Sequence, residues 1–85
     1  MTNTMEWTIT DYNQWIKDDR PINLLVTKLT ISKSNIKSLK GIDNLVNLTS
    51  LICSNNNQLT SLNGIENLVN LTRLWCGSNQ LTLLH

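Results

Sequence analysis

From Leu24 onward the apolar positions keep a long period. Val26, Leu29, Ile31, Ile36 and Leu39 are followed by Leu48, Leu51, Cys53, Leu59 and Leu62, then by Leu71, Leu74, Cys76, Leu81 and Leu84. Most positions between them are polar. Leu45-Val46-Asn47-Leu48-Thr49 returns 23 residues later as Leu68-Val69-Asn70-Leu71-Thr72, and Gly41-Ile42-Asp43-Asn44 returns as Gly64-Ile65-Glu66-Asn67. Self-similarity of this kind sets the architecture before any local reading. Within a repeat, Leu51 and Cys53 alternate with Ser50, Ile52 and Ser54, the period of a short strand with one face inward. The pattern predicts strands near 27–32, 50–54 and 72–77. Each repeat turns, crosses back and turns again, so successive strands lie parallel, ~4.8 Å apart. Inward side chains then fall into columns. One is Leu29, Leu51 and Leu74; the next is Ile31, Cys53 and Cys76. Ile36, Leu59 and Leu81 make a third, and Leu39, Leu62 and Leu84 a fourth. Gly41 and Gly64 fit a turn that needs positive φ. Asn79, and Asn56 or Asn57 in the middle repeat, sit where the chain leaves a strand, where an Asn amide satisfies backbone groups of the bend.

Residues 1–23 lack this period. Trp7 and Ile9 alternate with polar neighbours, which allows a short extended segment. Asp11, with Gln14 three residues later, fits a capping box. Tyr12, Trp15 and Ile16 share one face of the helix that follows, and Pro21 closes it, because the residue before proline avoids helical dihedrals. The expectation is an amphipathic helix over about 11–19 whose aromatics pack into the core and cover the open end of the repeats that follow.

The recurring L-x-x-L-x-C/L-x-x-N-x-L, followed by x-x-L-x-G-I-x-N-L, resembles the leucine-rich repeat. The variety with Gly-Ile and Asn-Leu in phase is similar to that of bacterial internalins and of short repeat proteins of large DNA viruses. The resemblance covers about residues 24–85. Ser34 stands where the family prefers Asn, the middle repeat carries one extra residue in Ser54-Asn55-Asn56-Asn57, and the third stops before its Gly-Ile turn. The fold class expected is α/β: a short solenoid with a parallel sheet on its concave face, an irregular or 3-10 convex side and an N-terminal capping helix. The organisation expected is a cap over 1–23 and about three repeats over 24–85, the last incomplete.

Composition narrows the function. The chain has 85 residues, enough for one small domain. Seven basic and six acidic residues leave a net charge of +1. Nucleic-acid binders carry a basic stripe, which is absent here. No apolar run approaches the ~20 residues that span a bilayer. The start, MTNTMEWTIT, lacks the basic-then-apolar order of a secretory signal, and a soluble intracellular location is favoured. Alanine is absent, which disfavours long helices. Asn47-Leu48-Thr49 and Asn70-Leu71-Thr72 match a glycosylation sequon, but follow automatically from the repeat.

Chemistry has little to stand on. Cys53 and Cys76 occupy equivalent inward positions and read as reduced core residues. A zinc site wants about four ligands, and His85 is the lone imidazole. Asp43 and Glu66 stack at equivalent outer turns and read as a solvated pair. No nucleophile motif or phosphate loop is present, so no enzyme activity, cofactor or metal is expected. The outward rows are more informative: Lys28, Ser50, Arg73; then Thr30, Ile52, Trp75; then Ser32, Ser54, Gly77. Trp75 breaks a polar run, beside Ile52 and Arg73. Trp and Arg dominate binding hot spots. The favoured function is therefore a non-catalytic module binding a protein or peptide through Lys28, Thr30, Ile52, Arg73 and Trp75. The alternative is self-assembly as a homodimer through the end of the last repeat, with Leu74, Cys76, Leu81 and Leu84 in the contact, or a chain that is a fragment of a longer repeat protein.

Overall fold

The structure is a computed structural model, described over residues 5–32, 36–55 and 59–77. Among the described residues four strands run parallel in one sheet in the order β1 (Met5–Trp7), β2 (Val26–Thr30), β3 (Ser50–Ile52), β4 (Arg73–Trp75). One helix, α1 (Ile9–Lys17), lies between β1 and β2. Single 3-10 turns at Ile42–Asn44 and Ile65–Asn67 precede β3 and β4. The three repeat strands are shorter than the alternation suggests, ending at Thr30, Ile52 and Trp75 rather than 32, 54 and 77.

The register reproduces the Leu29, Leu51 and Leu74 column and the two outward rows beside it; the third and fourth columns reach Leu81 and Leu84, outside the described residues. Leu29 pairs with Leu51 and Leu51 with Leu74; Thr30 pairs with Ile52 and Ile52 with Trp75. Val26, Leu29, Ile31, Leu39, Ile42, Leu45, Leu48, Leu51, Cys53 and Leu59 are fully or almost fully buried in one cluster with Tyr12 and Trp15. At about 25 cal/mol per Å² of apolar surface removed from water, this cluster is the main stabilising term. Gly41 and Gly64 hold φ of +80° and +105° at the entrances of the 3-10 turns, as the turn chemistry requires.

Threonines and asparagines at equivalent positions link each strand or turn to the one before it. The Thr27, Thr49 and Thr72 hydroxyls donate to the carbonyls of Met5, Thr27 and Thr49 at 3.4, 3.0 and 3.2 Å. Asn47 donates its amide to the Leu24 carbonyl at 2.9 Å, and Asn70 to Asn47 Oδ1 at 3.5 Å. Asn44 reaches the Arg20 carbonyl at 2.8 Å.

The N-terminal segment departs from the sequence expectation in two ways. The helix begins at Ile9, not Asp11, because the capping box lies one turn earlier. Thr8 is extended, and its N–H donates to Asp11 Oδ2 at 3.0 Å. Gln14, assigned to the box, instead donates to Asp18 Oδ1 at 3.1 Å. Ile9 therefore belongs to the helix and Trp7 ends a strand. That strand, β1, adds to the sheet beside β2 with an irregularity between Met5 and Glu6. The helix ends at Lys17 with Asp19 and Arg20 left-handed, at φ 69° and 54°. Arg20 N–H reaches the Trp15 carbonyl and Asp19 N–H the Ile16 carbonyl, the paired bonds of a Schellman ending. Tyr12 and Trp15 bury at ring centroids 5.3 Å apart, and Trp15 Nε1 donates to the Pro21 carbonyl at 2.8 Å.

Candidate functional site

A parallel strand turns alternate side chains to opposite faces. Since Leu29, Leu51 and Leu74 face the core, Lys28, Ser50 and Arg73 form one outward row, and Thr30, Ile52 and Trp75 another. The structure thus brings Lys28, Thr30, Ile52, Arg73 and Trp75 onto one surface of the sheet. Lys28, Thr30 and Arg73 are exposed and Ile52 is half-buried. Trp75 is 59% exposed.

Arg73 and Trp75 lie two residues apart on β4. The guanidinium carbon sits 5.7 Å from the indole centroid, a cation–π arrangement. It holds both side chains over the sheet. Between Lys28 and Arg73 a shallow groove of about 250 Å³ is lined by those two cations with Thr49, Ser50 and Thr72. The two threonine hydroxyls already donate to backbone carbonyls.

Sequence reasoning missed Glu6. It pairs with Lys28 in the register and its Oε1 lies 3.4 Å from Lys28 Nζ. Placing Glu6 requires that Met5–Trp7 joins the sheet; the alternation around Trp7 was the available signal, but three residues are too few to show a pairing. Thr49 and Thr72 were missed too, because their place in the groove follows from the ladder they form.

The residues expected in self-association divide. Leu74 and Cys76 are half-buried on the core side at β4, whereas Leu51 and Cys53 at β3 are fully buried. Leu81 and Leu84 lie outside the described residues, as do Asn56, Asn57, Asn79 and His85. Burial pushes the Cys53 thiol up to about 12, with Cys76 adding to the shift. Burial also raises the Tyr12 phenol to about 12 against the opposing charge of Arg20. Both groups are held neutral, which suits packing and not nucleophilic chemistry. Asp43 and Glu66 lie in the 3-10 turns, where Glu66 accepts from Gly64 N–H at 3.0 Å. Among the described residues no group of three or more His, Cys, Asp or Glu could hold a metal ion. Nor is any described helix long and apolar enough to cross a membrane.

Residues 46–84 match a family model described as Leucine Rich repeats, in two copies. No curated protein matches, and no solved structure does.

Proposed function

The chain is a leucine-rich-repeat protein, and from that premise we propose that it is a non-catalytic binding module whose outward sheet face holds a protein or peptide partner. Leucine-rich repeats generally mediate contacts between proteins. On this reading β1 and α1 cap the first repeat, the sheet is the concave face of a short solenoid, and Lys28, Thr30, Ile52, Arg73 and Trp75 form the contact. The observation that carries it is Trp75, 59% exposed at the end of the Thr30–Ile52–Trp75 row with Arg73 stacked on its ring. A large amphipathic ring in the open, stiffened by a neighbour, loses little entropy when a partner covers it.

Affinity capture comparing the native chain with Trp75→Ala tests this. The substitution removes an outward side chain, so the fold and its melting transition stay unchanged while capture falls by at least about tenfold, the loss of a hot-spot side chain. Equal capture by both proteins would refute the reading.

A second reading has its own support. Leu74 and Cys76 are half-buried where their counterparts Leu51 and Cys53 are wholly buried. A second copy packed against β4 would cover them. Sedimentation across a range of concentrations decides: a monomer throughout removes this reading and leaves the first untouched.

A further inference from the structure

The groove beside Trp75 has a definite chemistry. Lys28 and Arg73 flank Ser50 in one row, and no carboxylate is among the groove's lining residues. We propose that the partner segment is acidic. It presents an aspartate or glutamate side chain to Lys28, Ser50 and Arg73, with an apolar side chain beside it on Ile52 and Trp75. This rests on the outward face being the partner-binding face.

Each donor is accounted for. Arg73 has no ion-pair partner among the described residues. Its guanidinium is held by the Trp75 ring, 5.7 Å from the centroid, which leaves in-plane N–H groups for a carboxylate. Lys28 is engaged with Glu6 at 3.4 Å, but the two side chains are 51% and 65% exposed. Such a pair is weak, on the order of 1 kcal/mol or less, and an incoming carboxylate displaces Glu6 without leaving any charge buried. The Thr49 and Thr72 hydroxyls already donate hydrogen bonds to backbone carbonyls, so Ser50 is the groove hydroxyl left to donate to a ligand.

The charge count selects the class of partner. The row holds Glu6, Lys28 and Arg73, a net charge of +1. A polyanion such as nucleic acid is held by many cations at once, whereas one carboxylate matches this row. Two residues along the strand, about 7 Å away, Ile52 and Trp75 offer the apolar half of the site. An extended peptide with an acidic residue one or two positions from an apolar one spans both.

The test pans a library of random eight-residue peptides on the native chain. The expected pool carries Asp or Glu next to an aliphatic or aromatic residue. A synthetic peptide of the enriched sequence is then titrated against variants by isothermal titration calorimetry. Arg73→Glu is expected to weaken it by at least about tenfold, and Arg73→Gln by less, as loss of one charge-assisted contact implies. Glu6→Gln is expected to tighten it by about threefold, the worth of an exposed ion pair that no longer competes. Added salt should weaken it.

A pool without acidic residues, bound equally by Arg73→Glu but lost with Trp75→Ala, would overturn this inference and leave the binding face standing. No enrichment, or peptides indifferent to both substitutions, would overturn both. Preference for single-stranded oligo-dT over the acidic peptide would overturn it in favour of nucleic acid.

Discussion

Three glycines set out what a single residue does here. Gly41 and Gly64 sit at φ +80° and +105°, and a Cβ at Gly64 would lie 3.0 Å from Ile42 Cγ2. Gly77 has ordinary backbone and open space around it. Gly64→Ala should therefore destabilise by about 1–2 kcal/mol, from the left-handed penalty plus the contact. Gly77→Ala should stay within about 0.5 kcal/mol. Chemical denaturation of the two variants checks the contrast, and equal losses would mean the turn does not impose its φ. Tyr12 and Cys53 make a second residue-scale case. Their folded pKa values, about 12, stand above the ordinary 10.0 and 9.0. Ionisation is easier in the unfolded chain, so their contribution is full below pH 9 and is lost as pH rises from there through 12. The melting temperature should fall across that window, and Tyr12→Phe should flatten the fall above pH 10. A parallel decline in both proteins would show that burial of the phenol is not its cause.

At the scale of elements, the ends of α1 are set by backbone bonding that the helix period does not report. Its C-terminus needs Asp19 at φ 69°, a position that favours glycine. Asp19→Gly should raise stability by up to about 1 kcal/mol, read as a higher denaturation midpoint; a lower midpoint would mean the carboxylate has a role beyond the bend. The same contrast explains what was legible. Period and alternation fix which face each strand residue takes, so the Leu29, Leu51 and Leu74 column and the Arg73–Trp75 pair followed from residue spacing alone. The capping box was misplaced because Thr8-x-x-Asp11 and Asp11-x-x-Gln14 satisfy similar templates, and only the bonding of Thr8 N–H separates them. The extended segment around Trp7 was legible, but its place in the sheet was not, because three residues pair only once β2 is in place. The Asn and Thr ladders were also obscure. Each bond joins residues 22 or 23 apart, so a triplet that reads as a glycosylation sequon is a row of contacts between repeats.

Across the whole molecule, burial runs downhill from β2 and β3 to β4. Leu29 and Leu51 are 0% exposed, whereas Leu74, next in the same column, is half-buried. A stacked array is stabilised by each repeat and its contact with the neighbour, so a side chain covered on both sides contributes more than one covered on one. Leu51→Ala leaves a cavity between two columns and should cost about 3 kcal/mol, within the usual range for a buried leucine. Leu74→Ala removes surface that water already reaches and can refill, and should cost about 1 kcal/mol by area. Guanidinium denaturation of both variants at low protein concentration measures the difference. A cost for Leu74→Ala as large as that for Leu51→Ala would show that Leu74 is covered in solution, contrary to this gradient. A midpoint that then rose with protein concentration would identify the cover as a second copy, because association stabilises by mass action. A concentration-independent midpoint with unequal costs leaves Leu74 open to water as this gradient has it, with Arg73 and Trp75 free to meet a different chain.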